Sequence, residues 1–442
     1  MDTIFGLGWT IASFIFVLGI MIFVHELGHC LMAKVLKIRV DVFSLGFGPR
    51  LFGFQTGGTD YRVSLFPLGG YVRMAGEHYD DELAGKEDEF LARPKSHRLA
   101  VALAGPLMNI VLAIALMAVI FMAGVEVPVY LNNPPEVGYV YEDSPAEEIG
   151  ISEGDLILAI DGKKVENWEA TQIAIATLPA KSVRISYRRD GKEFERIVQL
   201  DESEISGAGF LGIMPPLASV ITAVNPGPAA NAGVEAGDLV LSVSSGQEEA
   251  SDTPEILDLI KASEGSPLLF TIQREGKTIT REITPEEQEG TYKIGVGISQ
   301  TPVIETRTEQ YGPIASLGKS IQKNYELTAL TFNIIGKLLT GATSLKMMSG
   351  PIEIARFSGA AAAQGVTTLI TFMALISLQL GIFNLLPIPV LDGGTIAMLA
   401  VEAIIRRDLS LQVKERIMQV GFLLLILLMS FVIFNDISKT LG

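Results

Sequence analysis

Apolar residues gather along the chain in four long runs. The first extends from Phe5 to about Val35 and the second from about Leu99 to Val125. The third covers about Thr367 to Ile388, continuing from Leu391 to Ile405, and the fourth about Ile417 to Phe434. Each is long enough to cross a hydrocarbon layer about 30 Å thick as a helix. The first run lacks Lys and Arg at its start, exceeds a signal-peptide core in length and shows no convincing small-x-small cleavage site before His25, so it reads as a retained span. Basic residues orient the spans. Lys34 to Arg98 carry ten Lys and Arg between spans one and two, and Arg406, Arg407, Lys414 and Arg416 lie between spans three and four. Both basic loops are therefore expected in the cytoplasm, with both termini and the long segment between spans two and three outside.

That segment has another texture. It alternates apolar and polar residues over short stretches such as "SVRISYRRDG" and "PLLFTIQREGKTITREI", the period of half-buried strands. It also repeats. "SPAEEIGISEGDLILAIDG" from Ser144 is echoed by "GPAANAGVEAGDLVLSVSS" from Gly227, with Pro145, Gly154 and Asp155 each 83 residues before Pro228, Gly237 and Asp238. A constant offset predicts two copies of one β-rich module. Each copy resembles a PDZ domain of the bacterial envelope-protease kind. The resemblance implies peptide or C-terminus binding, with "FLGI" at 210–213 the better candidate loop and "VGYV" at 137–140 a weaker one in the first copy.

Charge sharpens the division. Hydrophobic residues make up 48 % of the 442, yet the formal net charge is −16. Between Glu126 and Gly350 there are 33 Asp and Glu against 18 Lys and Arg, so nearly all the excess is in the outer segment. Such a balance gives no reason to expect nucleic acid as a partner. The single cysteine, Cys30, rules out an intramolecular disulfide and reads as a small packing residue of an apolar helix.

The candidate chemistry is "HELGH" in span one. On a helix His25 and His29 share a face and can reach one Zn²⁺, while Glu26 beside them can take a proton from a metal-activated water. Ionisable groups inside a membrane are costly and mark function by default. A catalytic zinc normally has a third protein ligand. His78 and His97 lie in the following loop without a framing motif. Asp392 in "NLLPIPVLDGG" is the better candidate, the only charge between Arg356 and Glu402, with Pro387 and Pro389 breaking the helix before it. Irregular backbone at that depth is tolerated where it lines a cavity or is buried in protein. Both motifs fall towards the cytoplasmic ends of spans running the same way, so they can meet at one level. An Asp that only caps the next helix is the alternative.

With "HELGH" in span one, "NLLPIPVLDGG" in span three and the repeats between, the chain resembles the site-2 proteases over essentially its whole length. "GPLMN" at 105–109 and "SGPIEIA" at 349–355 look like further family stretches. The resemblance implies a bacterial inner-membrane zinc endopeptidase that cleaves single-span membrane proteins after another protease has trimmed their outer domain. Anti-sigma factors and remnant signal peptides are the substrate types it implies. It assigns His25, His29 and Asp392 to zinc, Glu26 to catalysis and Asn384 to the substrate backbone. "YRVSLFPLGGYVRMAG" at 61–76 reads as a cytoplasmic hairpin or short sheet on the membrane that could add the substrate as a strand, bringing Gly69, Gly70 and Tyr71, with Pro387 and Pro389, into the substrate site.

The expected architecture is thus a polytopic α-helical membrane protein of four transmembrane helices, with two tandem PDZ-like extracytoplasmic domains and a cytoplasmic β-hairpin. Residues 1–125 hold spans one and two and the β-loop at about 55–76. Residues 126–205 and 206–304 form the two modules, 305–345 an amphipathic linker touching lipid, and 346–442 spans three and four. The outer modules are expected to filter substrates by size. A membrane-anchored scaffold and a transporter are the rival readings, and neither has a use for Glu26 as a base.

Overall fold

The computed structural model describes residues 2–77, 86–203, 207–246, 248–274, 277–288, 290–302, 306–344, 346 and 348–441. His78 lies outside them. The chain divides into two compact units, Met1–Val125 with Thr308–Gly442, and Glu126–Arg307.

The first unit is built on helices α1 (Asp2–Val35), α2 (Lys95–Ala123), α3 (Pro313–Leu339), α4 (Pro351–Gln364), α5 (Val366–Leu385), α6 (Asp392–Ile404) and α7 (Leu411–Leu441). Within α1, α2, α5 and α7 lie, among the described residues, four helices long and apolar enough to cross a membrane. A helix satisfies its own backbone, the condition for spanning hydrocarbon. Helix α1 ends where Lys37 turns to φ +58° and Ile38 N–H donates to the Ala33 carbonyl at 2.8 Å. The third apolar run is not one helix. It breaks at residues 386–391, where Pro387 and Pro389 cannot donate to a helical ladder, and resumes as α6.

Helix α3 inverts the soluble pattern. Ser316, Ser320, Asn324 and Thr331 are buried, while Ile314, Leu317, Ile321, Tyr325, Phe332 and Leu339 are exposed, Ile314 by 90 %. The Ser320 hydroxyl donates to the Ile114 carbonyl of α2 at 2.6 Å, and Gln379 Nε2 of α5 donates to Thr331 Oγ1 at 2.9 Å. A helix with polar residues against protein and large apolar ones outward suits lipid contact.

Between α1 and α2 run β1 (Val40–Thr56) and β2 (Thr59–Met74). Their tight turn is Gly57–Gly58, both at positive φ, which closes Thr56 against Thr59. Of the two forms expected at 61–76 the short sheet is the one found: the arms either side of Pro67 and Gly69 pair with 42–45 between them and not as a hairpin. Val42 to Leu45 pair on one side with Asp60 to Val63 and on the other with Gly70 to Arg73. The two long strands therefore fold into four paired segments, and one outer segment is 70–74.

The second unit contains two cores. One gathers Ile157, Ile160, Trp168, Ile185, Leu200, Leu211 and Ile213 around strands 156–160, 182–189 and 192–199. The other gathers Ile221, Val243, Ile256, Leu268, Phe270 and Ile272 around strands 217–224, 239–245, 268–274, 277–283 and 296–302. The Gly-Asp turns are built alike. Buried Asp155 accepts from Ser152 N–H at 2.9 Å and from Arg189, and buried Asp238 accepts from Glu235 N–H at 2.9 Å and from Arg274. Burial alone would raise the Asp238 carboxyl, but the Arg274 guanidinium and the Glu235 N–H bring it below the ordinary range.

The expected boundary at 205/206 shifts. Ile213–Met214 pair with Tyr139–Val140, and Leu211 and Ile213 belong to the first core, so "FLGI" closes the first module beside "VGYV" instead of opening the second. Its counterpart 83 residues on is Ile294–Val296. Gly212 and Gly295 both take positive φ, and the Leu211 and Ile294 carbonyls accept from Ala146 and Ala229 N–H.

Candidate active site

Helix α1 brings His25 and His29 to one face, one turn apart. Their Nε2 atoms lie 3.2 Å from each other. Asp392, the first residue of α6, supplies the third group, with Oδ2 3.0 Å from His25 Nε2 and Oδ1 3.4 Å from His29 Nε2. Asp392 does not cap its helix. Leu391 occupies the cap position, and it makes no side-chain cap hydrogen bond. Gly393 and Gly394 explain the local backbone. A Cβ on Gly393 would fall 2.0 Å from the Leu386 carbonyl oxygen, and one on Gly394 2.5 Å from that of Ile388. Only glycines let α6 start this close to the turn leaving α5. In that turn Val390, β-branched, is held at φ +82°, a conformation costing about 1–3 kcal/mol.

Helix α2 packs against the two imidazoles. A Cβ on Gly28 would meet the Ala104 carbonyl oxygen at 2.4 Å, and one on Gly105 would lie 2.3 Å from His29 Nε2 and 2.9 Å from His25 Cε1. The helices can approach this closely because both positions lack side chains. The Val101 carbonyl accepts from His29 Nδ1 at 2.8 Å, which leaves the His29 Nε2 lone pair pointing at His25 and Asp392. Asn109, fully buried, places its carboxamide 3.2 Å from His25 Nδ1. Helix α5 anchors this stretch of α2 through Ser377 Oγ, which donates to the Asn109 carbonyl at 2.8 Å.

Two imidazole nitrogens and a carboxylate are a zinc donor set. Among the described residues His25, His29 and Asp392 are the group able to hold a metal, their donor atoms all within 4.8 Å of one another. Two Nε2 atoms facing each other and an anion across a buried gap leave lone pairs opposed, an arrangement a cation resolves. The residues fit the ion.

A cavity of about 520 Å³ opens on this cluster. Glu26 lines it beside the histidines, together with Val72 of β2. Tyr71 and Asn384 line it too, as do Met398 of α6 and Met418 of α7. Gly70 lies under the site, where a Cβ would come 3.2 Å from Glu26 Cγ, while Gly69 faces the Phe47 ring. Pro387 and Pro389 do not line the cavity. Pro389 packs on α7 at Gly421, and both prolines lie in the turn between α5 and Asp392. His97 begins α2 apart from the cluster, and Cys30 packs with Ala33, Ile38 and Val40.

Sequence reasoning did not find Gly28, Gly105 or Asn109. The signal was present in "GPLMN", whose small residues and Asn fall one helical turn apart. It also missed the buried pair that ties α6 to α7. Glu402 is fully buried, and its Oε1 accepts from Lys414 Nζ at 2.7 Å and from Leu409 N–H at 3.0 Å. Lys95 Nζ of α2 donates to the Glu402 carbonyl at 3.1 Å.

Comparison with known proteins bears on the same residues. Two solved PDZ domains of SdrC-like proteins, from Listeria monocytogenes and Listeria innocua, match 20 % and 19 % of the chain and 92 % of their own, at 26 % and 29 % identity, each with a TM-score of 0.17. The Regulator of sigma-E protease RseP of Escherichia coli (strain K12) is 34 % identical over 98 % of this chain and 99 % of its own. The Regulator of sigma E protease of Haemophilus influenzae is also 34 % identical at the same coverage. A Vibrio cholerae relative whose name includes "zinc metalloprotease" is 31 % identical over the same shares. The profile of peptidase family M50 matches residues 13–428, a stretch that takes in both the His25–His29 turn and Asp392. The chain accordingly belongs to peptidase family M50, as a zinc metalloendopeptidase of the site-2 protease type.

Proposed function

We propose that the chain hydrolyses peptide bonds of single-span membrane proteins, within or beside their membrane segment, at a site where His25, His29 and Asp392 hold zinc. The observation that carries this is a His-His-Asp donor cluster with Glu26 beside it, opening on a cavity among apolar helices. When bound, zinc polarises the scissile carbonyl and makes water acidic enough to ionise near neutral pH. Glu26 takes one proton from the attacking water and delivers it to the leaving amine. The C–N bond breaks, the water oxygen becomes part of the new carboxyl group, and that group's remaining proton passes to the freed amine, leaving a carboxylate and an ammonium.

A substrate helix hides its carbonyls in internal hydrogen bonds, so its scissile stretch must unwind. Unpaired amides then need partners. Segment 70–74 is an outer segment of the β1–β2 ribbon, and its Tyr71, Val72 and Met74 line the cavity, so it can take the unwound substrate as an added strand. Asn384, in the cavity wall, is positioned to hold the substrate backbone through its carboxamide.

The sigma-E relatives' names support a role in envelope stress signalling in the inner membrane, with an anti-sigma type of membrane protein as substrate and remnant signal peptides as a further class. In this reading both termini and the two PDZ-like modules lie in the periplasm and the basic loops in the cytoplasm. The modules exclude substrates with bulky outer domains and bind peptides or C-termini. The test is cleavage, by purified protein, of a tagged single-span substrate with its outer domain trimmed. Wild type should cut within the span, and Glu26→Gln or chelator-treated enzyme should not. Equal behaviour of wild type and Glu26→Gln would refute the reading.

A further inference from the structure

The protonation pattern of His25 needs a group to fix it. A neutral imidazole has one N–H and one lone pair. For Nε2 to face a metal, the hydrogen must sit on Nδ1. His29 meets this condition through the Val101 carbonyl. Among the described residues, His25 Nδ1 faces the Asn109 carboxamide, 3.2 Å away. That side chain is fully buried, and its Oδ1 finds no hydrogen-bond partner among the described residues. A buried acceptor without a donor is a costly arrangement. A half-turn about the Cβ–Cγ bond exchanges Oδ1 and Nδ2 almost isosterically. It gives Oδ1 the Nδ1–H it lacks and leaves the His25 Nε2 lone pair free towards His29 and Asp392.

We propose that Asn109 is a positioning residue: its Oδ1 accepts from His25 Nδ1–H and so sets the tautomer in which Nε2 binds zinc. This rests on the zinc assignment above. Groups that orient a ligating histidine typically contribute 10–100-fold in metal affinity.

The test is the zinc affinity of the full-length protein in detergent, by competition with a chromophoric chelator, for wild type, Asn109→Leu and Asn109→Asp. Leu is near in size and accepts nothing. Asp accepts with either oxygen. The expected result is a loss of about 10–100-fold for Asn109→Leu and retention within about threefold for Asn109→Asp. The Ser377 bond goes to the main chain and survives both changes. A purely structural Asn would not be rescued by a buried carboxylate. Equal affinity in wild type and Asn109→Leu would overturn the proposal, as would equal loss in both variants. Should Asn109→Leu not fold, ¹⁵N NMR of zinc-loaded wild type decides. A hydrogen on His25 Nδ1 supports the proposal, and its absence overturns it. Wild type that binds no zinc, or binds it unchanged after Asp392→Ala, would instead refute the ligand assignment itself.

Discussion

Replacing Gly105 with Ala separates two effects that usually travel together. In a helix interior the change favours the helix by about 1 kcal/mol. Here the added Cβ would stand 2.3 Å from His29 Nε2, 2.6 Å from its Cε1 and 2.9 Å from His25 Cε1. Restoring ordinary contact, about 3.5 Å, moves the His29 ring by roughly 1 Å or pushes α1 from α2 by as much. Displacement of that size at a reacting centre costs on the order of 100-fold in rate, about 2.7 kcal/mol. The expected outcome is a kcat/KM on a membrane-embedded reporter lowered about 100-fold, with thermal unfolding little changed. Gly336→Ala in α3, where a Cβ meets nothing within 4 Å, is the control and should cleave normally. If Gly105→Ala cleaved within about threefold of wild type, the close α1–α2 crossing would not be setting the histidine geometry.

Glu26→Gln should bind zinc as wild type does yet lose about 10²–10⁴-fold in turnover, and chelated wild type should regain activity when zinc is returned. Loss of zinc in Glu26→Gln would contradict the base assignment. Glu402→Gln removes the negative charge facing the buried Lys414 ammonium and should destabilise the membrane unit by about 3–5 kcal/mol, whereas Glu402→Leu with Lys414→Met should recover most of it; equal unfolding temperatures for the two would argue against a buried pair. The depressed Asp238 carboxyl makes the native state the weaker proton binder. Its stabilisation is complete above the unfolded value near 3.9 and is lost as pH falls through the native one. Hydrogen-exchange protection of residues 217–302 should therefore weaken below about pH 4 in wild type and much less in Asp238→Asn. Identical acid profiles would show that the Arg274 pair does not matter.

The spans, the repeat and the His-Glu-x-x-His turn were legible because each is a local pattern: apolar length, constant offset, helical spacing. Asp392 was legible as a lone charge in an apolar run beside helix-breaking prolines. The ribbon was only half visible. "VDVFSL" at 40–45 carries apolar residues without a turn signal of its own, and its place between 60–63 and 70–73 depends on bends at Gly46 and Gly48. The module boundary was misread because a strand at 213–214 completes a sheet begun 74 residues earlier, at 139–140. The Arg partners of the Gly-Asp turns escaped the repeat because they stand 85 residues apart, at 189 and 274, while their Asp residues stand 83 apart. The Asn109–His25 contact joins two helices 84 residues apart, which spacing alone cannot indicate.

The division of the proposed ligands between α1 and α6 also has a consequence for how the protein is made. His25 and His29 enter the membrane with the first helix, while Asp392 is translated 363 residues after His29. At about 5–20 residues per second, that is an interval of roughly 20–70 s. Throughout it the nascent chain holds a general base and two imidazoles but no third ligand, and the turn that presents Asp392 has not been made. Synthesis order thus acts as a safety catch: a stalled or truncated chain ending before α6 lacks the third proposed ligand however many of α1, α2 and α5 it has made, and proteolytic competence arrives only with a nearly complete molecule.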